Sequence, residues 1–166
     1  KPVRRVVVTH HHPDHIGLAG WFQTAHGAEL VTTRTAWLFA RMLQLDAQDR
    51  PTQETLDYWR SAGMEPRVLE QRMAERPFNF ADVVAPMPLG FKRIKQGDVL
   101  HAGGRDWDVH MGNGHAPEHA TLWSRDDDLV LEDFASVEEY LQTAVARLAI
   151  DQPKYSGFAT ACAAGA

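Results

Sequence analysis

The sequence predicts a mixed α/β fold of the α/β (α+β) kind, on three observations. A β-rich run at residues 3–9 enters a histidine cluster, helical spacing follows from Ile16, and residues 29–33 return to a strand pattern. Strand, helix and strand at this spacing form a β-α-β unit. Residues 34–76 then carry helical periodicity, and residues 91–131 break into short strands separated by Gly- or Asp-rich turns.

Each element follows from its residues. The run V-R-R-V-V-V-T at 3–9 is too short for a helix and reads as a largely buried strand. Ile16, Ala19, Trp21, Phe22 and Ala25 are spaced as on a helix, with Gly27 as its stop. Trp37, Leu38, Met42 and Leu45 form one apolar stripe on the next helix. Pro51 and Pro66 sit near the starts of two more helices, marked by Leu56 and Trp59 and by Val68, Leu69 and Met73. Three consecutive helices are an insertion in an alternating α/β pattern, either a packed subdomain or a wall of a substrate pocket. Residues 77–90 are a Pro-rich connection, and strands resume at 91–94. Gly103-Gly104 joins strands 99–101 and 106–111, and Asp126-Asp127-Asp128 joins 120–124 to 129–131. Ser136 and Glu139 form a capping box for a helix bearing Val137, Tyr140, Leu141, Ala144, Val145 and Leu148. We read residues 1–166 as one domain.

Composition narrows the function classes. No apolar run approaches the ~20 residues that span a bilayer. A formal charge of -5 disfavours a phosphate backbone as partner, so nucleic acid is not expected. The lone Cys162 can close no internal disulfide, which fits a reducing cytoplasm. The start at Lys1-Pro2, without Met, leads to the expectation that an N-terminal part is missing.

Nine histidines are present, and four of them fall within residues 10–15. In the segment T-H-H-H-P-D-H, an extended backbone turns alternate side chains to one side, so His10 and His12 face together while His11 points away. Two imidazoles so placed can clasp one ion. Asp14 and His15 follow where the chain bends into the helix and can offer an oxygen and a nitrogen to a second ion. Pro13 stiffens that turn, and Gly17 permits close packing. A purification tag would be a pure His run at a terminus; here Asp and Pro lie inside the cluster and a strand stands behind it.

The second constellation is G-N-G-H-A-P-E-H at residues 112–119. Glycines flank a tight turn that throws His115 into a loop. Three histidines with an open fourth position form the pattern of a catalytic zinc site. Such an ion lowers the pKa of its water to roughly 7, making hydroxide available at neutral pH.

T-H-H-H-P-D-H-I-G at 9–17 resembles the H-x-H-x-D-H motif of the metallo-β-lactamase superfamily, and G-H-A-P-E-H at 114–119 resembles the loop that brings its third metal-1 histidine. The resemblance runs from about residue 3 to residue 131. It implies an αββα sandwich, here incomplete because the family's opening strands do not precede Lys1. It implies metal 1 at His10, His12 and His115, and metal 2 at Asp14 and His15. Within the family, the motif looks most like uncharacterised relatives of hydroxyacylglutathione hydrolase. The family's bridging Asp has one nearby counterpart, Asp133, and no His follows His119 to match the last metal-2 ligand.

The expected activity is hydrolysis of a small acyl substrate, a thioester, lactone or similar ester or amide, by hydroxide on Zn2+, with Fe or Mn as other candidate metals. Asp14 is the expected catalytic residue, orienting the nucleophile or acting as base. His119 is expected to orient a ligand from behind. The competing readings are an iron-dependent oxygenase on the same fold and a degenerate, non-catalytic metal binder. His26 reads as a helix-end cation, His101 and His110 as strand residues of unknown facing, and Glu118 as solvated or supporting a ligand. Lys92, Arg93 and Lys95 suit either an anionic substrate tail or a charged edge strand. Exposed sheet edges make a homo-oligomer a reasonable expectation.

Overall fold

The computed structural model describes residues 2–127 and 129–131. Asp133, the capped helix at 136–148 and Cys162 lie outside the described residues. The described residues form two sheets. In the first, β1 (Arg5–Val7), β2 (Glu29–Thr32) and β3 (Lys92–Arg93) pair in parallel in that order. In the second, β4 (Val99–Ala102), β5 (Arg105–Gly112), β6 (His119–Ser124) and β7 (Val130–Leu131) form an antiparallel meander.

The period-2 alternation of the parallel strands builds two cores. Val8 and Leu30 face the helices, where they meet Ile16, Ala19, Ala40, Phe80, Val84 and Met87. Val31 faces the other way and packs with Ile94, Leu100, Trp107, Val109, Ala120 and Leu122 between the sheets. Each Val, Leu, Ile, Phe or Met buried there contributes about 1.5–3 kcal/mol of hydrophobic stabilisation. The layers are therefore helices, parallel sheet and antiparallel sheet, a mixed α/β arrangement consistent with part of the expected sandwich.

Local signals explain the boundaries. The first β-α-β unit forms as expected, its helical part divided into α1 (Pro13–Ile16), with Pro at the first turn, and α2 (Ala19–His26), closed by Gly27 at φ +64°. Gly103 and Gly104, at φ +62° and +76°, make the tight β4–β5 turn. The 34–76 segment forms three helices: α3 (Arg34–Leu45), α4 (Gln53–Ser61) and α5 (Pro66–Ala74). Thr33 caps α3 by accepting from Ala36 N, and Thr52 caps α4 by accepting from Thr55 N.

Three expectations need correction. The strand expected over residues 3–9 is regular only over Arg5–Val7, because beyond Val8 the chain turns to present the histidines. Of the helical stripe read from Ile16 to Ala25, Ile16 on α1 and Ala19 on α2 are buried, whereas Trp21 is exposed. On α3, Trp37 of the stripe read from Trp37, Leu38, Met42 and Leu45 packs against the core, but Leu38, Met42 and Leu45 lie outward, at 51%, 54% and 71% exposure, while Ala36 and Ala40 are fully buried. The physical reason is what α3 packs against. Its neighbour is the backbone of residues 80–88, which small side chains let approach closely. Gln44 Nε2 donates to Ala85 O and its Oε1 accepts from Met87 N, while Trp37 Nε1 donates to Pro88 O. The Pro-rich connection is thus partly a core segment, with Phe80, Val84 and Met87 buried. It also lies against α2: a Cβ on Gly20 would stand 1.8 Å from Pro86 O.

Candidate metal centre

The parallel sheet delivers the first histidines. Val8 N donates to Val31 O, and Thr32 Oγ1 donates to Val8 O, which holds the chain in line as it leaves β1. Thr9 O then accepts from Ala120 N at 2.9 Å, so the exit of β1 is bonded to the start of β6. This bond brings His115, in the loop after β5, and His119, at the start of β6, against the loop after β1.

His10, His12 and His115 each offer a ring nitrogen, and these three atoms lie within 4.8 Å of one another. His10 Nε2 and His115 Nε2 are 3.0 Å apart. A tetrahedral zinc with bonds of ~2.0–2.1 Å needs ligand nitrogens about 3.3 Å apart, so the group fits a metal ion after small ring adjustments. The His10 ring centroid is 4.5 Å from that of His12 and 4.6 Å from that of His115. His10 is fully buried. That burial, with the crowding of His119, His15, His12 and His115, pushes its pKa down to about 3. Its imidazole is therefore neutral at pH 7, the form that binds a metal.

Thr9 Oγ1 stands 3.0 Å from His10 Nδ1. In the tautomer where this hydroxyl accepts Nδ1–H, the Nε2 lone pair is left for the cluster. His11 turns off the cluster, its ring 5.0 Å from that of Phe39 on α3. Burial is also the first cause of its lowered pKa, followed by His12 and His115.

The remaining expected site residues divide. His15 packs against His10 at a centroid distance of 4.2 Å, and its Nε2 lies 3.5 Å from Asp14 Oδ2. Asp14 itself is outward, with its side chain 73% exposed, and neither residue joins the three-nitrogen group. His119 is buried behind the group, its centroid 4.5 Å from His10 and 5.5 Å from His115. His26 packs on Trp21 and Phe22 at the end of α2. His101 bonds Asp106, and His110 Nδ1 lies 3.2 Å from Gln96 Nε2; neither belongs to the three-nitrogen group. Lys92 and Arg93 form the exposed edge strand β3.

Two contacts were not legible in the sequence. One is the Thr9–His10 bond, where a threonine beside a strand histidine gives no distinctive signal. The other joins residues 83 apart: Glu118 Oε2 accepts from Thr35 Oγ1 at 2.6 Å and from Thr35 N at 3.2 Å. A hydroxyl at the start of a helix is a capping signal, but nothing in the chain marks its distant partner.

Comparison with known proteins agrees with this geometry. Residues 1–131 match the family described as the metallo-beta-lactamase superfamily. The crystal structure of a beta-lactamase domain protein from Burkholderia ambifaria superposes at TM-score 0.63 with 31% identity, over 79% of this chain and 36% of that one. A metallo-beta-lactamase family protein from Thermus thermophilus superposes at TM-score 0.56 with 22% identity, over 78% of this chain and 40% of that one, a likeness of fold. The chain thus spans well under half the length of these structures. No curated protein matches it significantly. With the family match reaching from the first histidine motif through the second, this chain belongs to the metallo-beta-lactamase superfamily.

Proposed function

We propose that this chain carries the metal-binding half of a hydrolase active site that acts on a small acyl substrate, a thioester, lactone or related ester or amide. The observation that carries the reading is the convergence of three imidazole nitrogens, from segments separated by 105 residues, to within 4.8 Å. Superfamily membership supports it, since members are typically metal-dependent hydrolases.

His10, His12 and His115 would hold the ion, with Zn2+ the leading candidate. When bound, such an ion lowers the pKa of a coordinated water to about 7 and polarises a carbonyl. Thr9 keeps His10 in the tautomer that presents Nε2. Asp14, exposed beside His15, would take a proton from the attacking water at its carboxylate. Asp14 and His15 are also the residues of this chain available to a second ion. His119 backs His10 and His115 and restricts their movement. Phe39 of α3, which packs on His11, would offer apolar surface for an acyl substituent. The formal charge of -5 argues against nucleic acid as substrate.

The test is metal content and hydrolysis on the same purified protein, with His115→Ala beside it. The expected result is bound zinc, hydrolysis of at least one member of a thioester, lactone and ester panel, loss of activity with chelator and its return with zinc. His115→Ala should keep its circular dichroism and lose at least a hundredfold in zinc affinity, about 2.7 kcal/mol. Zinc binding without turnover of any panel member would favour a non-catalytic metal binder. Iron with oxygen uptake would replace hydrolysis by redox chemistry.

A further inference from the structure

Glu118 adopts φ +49°, and it is the one non-glycine residue at positive φ among the described residues. That conformation is costly for a side chain larger than Asn or Asp, and glycine would occupy it freely. The position lies between His115 and His119, so the strain sits inside the loop that completes the metal centre. Something must hold it there.

The side chain supplies the reason. Glu118 Oε2 accepts from both the backbone N and the Oγ1 of Thr35, in the first turn of α3, while Glu118 N donates to Asn113 Oδ1 at 3.1 Å. The carboxylate thus satisfies a helix N–H that has no partner within α3, and Thr33 satisfies the next one at Ala36. One turn along the same face, Phe39 packs on His11, which stands between His10 and His12. Helix α3 therefore touches both loops of the centre: the 113–118 loop through Thr35, and the 9–12 loop through Phe39. Its far side is anchored to residues 85–88 by Trp37 and Gln44.

We propose that α3 is a strut that sets the separation of the two metal-binding loops, with Glu118 and Thr35 as the positioning residues that fasten His115 to it. The inference rests on the metal site proposed above. It assigns Glu118 no contact with metal or substrate. It explains why a strained carboxylate occupies a position that glycine would fill without strain: glycine would relax the backbone and release the helix.

Competition of the purified chain with a zinc chelator, and the absorption spectrum of its Co2+ form, test this on wild type, Glu118→Gly, Glu118→Gln and Thr35→Val. Glu118→Gly should bind zinc ten- to a hundredfold more weakly, with an altered Co2+ spectrum, a magnitude typical of lost ligand support. Its metal-free melting temperature should stay near wild type, because relief of strain offsets the lost bonds. Glu118→Gln keeps an acceptor oxygen and should bind within about threefold of wild type. Thr35→Val should weaken zinc in the same direction as Glu118→Gly, and the double variant should be no weaker than Glu118→Gly alone. Zinc affinity within twofold of wild type and an unchanged Co2+ spectrum in Glu118→Gly would overturn the strut while leaving the metal site standing. If Glu118→Gly does not fold, unchanged binding in Thr35→Val overturns it equally. A wild-type chain that binds no zinc would instead remove the proposed metal site.

Discussion

Thr9 shows how one side chain can decide whether a histidine is a ligand. His10 is buried, so neither of its nitrogens can rely on bulk water, and its Nδ1 has the Thr9 hydroxyl at 3.0 Å. Thr9→Val keeps the shape and removes the acceptor. We predict that the metal-free variant loses about 1–3 kcal/mol of stability, the cost of a buried unsatisfied donor. Zinc affinity should fall roughly tenfold or more as the Nε2–H tautomer gains population. Chemical denaturation and 15N spectra of the ring nitrogens check both, and an unchanged tautomer would defeat the argument. At this scale the candidate site was largely legible. His10 and His12 lie together and His11 turns to Phe39, as the spacing led us to expect, although the chain bends at residues 9–11 instead of continuing as an extended strand. The position of Asp14, outward rather than in the three-nitrogen group, was not legible. It depends on how α1 is oriented after Pro13, which tertiary packing decides.

At the scale of elements, helix α3 shows where periodicity misleads. Its apolar residues are real, yet Leu38, Met42 and Leu45 point outward and the alanines point in. Hydrophobicity alone ranks Leu above Ala, whereas close approach to a backbone segment ranks Ala above Leu. The β-α-β unit, the Gly103-Gly104 hairpin and the three-helix segment were legible because caps, turns and breakers are local chemistry. The clamp from Glu118 to α3 was not, since it joins distant segments. Its charge gives a pH signature. The Thr35 hydroxyl, as the largest cause, holds the Glu118 pKa below its ordinary 4.5, with the Thr35 N–H and the charges of Arg93 and Arg34 adding to it. A lowered folded-state pKa means stability that is present above 4.5 and lost as pH falls through the lowered value. Metal-free wild type should therefore exceed Glu118→Gln by about 0.3–1 kcal/mol at pH 7. The gap should narrow as pH falls below 4.5, measured as urea midpoints; a gap that does not change with pH would contradict the assignment.

For the whole molecule, the centre sits where the two sheets meet. Ala120 N of β6 donates to Thr9 O, just past β1, at that point, and His10 and the loop that carries His115 adjoin these two residues in sequence. An ion held by His10, His12 and His115 would tie the parallel half of the fold to the antiparallel half. Binding to the folded state alone adds about 2.7 kcal/mol at a free zinc concentration one hundred times Kd. We expect a melting temperature that climbs with zinc, falls on chelation and ceases to respond in His115→Ala; a zinc-independent transition in wild type would argue against the site. No described helix is long and apolar enough to cross a membrane.

Gly20 lies on a helix that carries none of the three clustered imidazoles, yet it governs how they are framed. With the carbonyl of Pro86 filling the place of a Cβ, helix α2 and the 85–88 segment are in direct backbone contact. That segment is what Gln44 and Trp37 grip. A methyl group added at Gly20 would act as a wedge, felt first by the connection, next by α3 and last by the loop that Glu118 fastens.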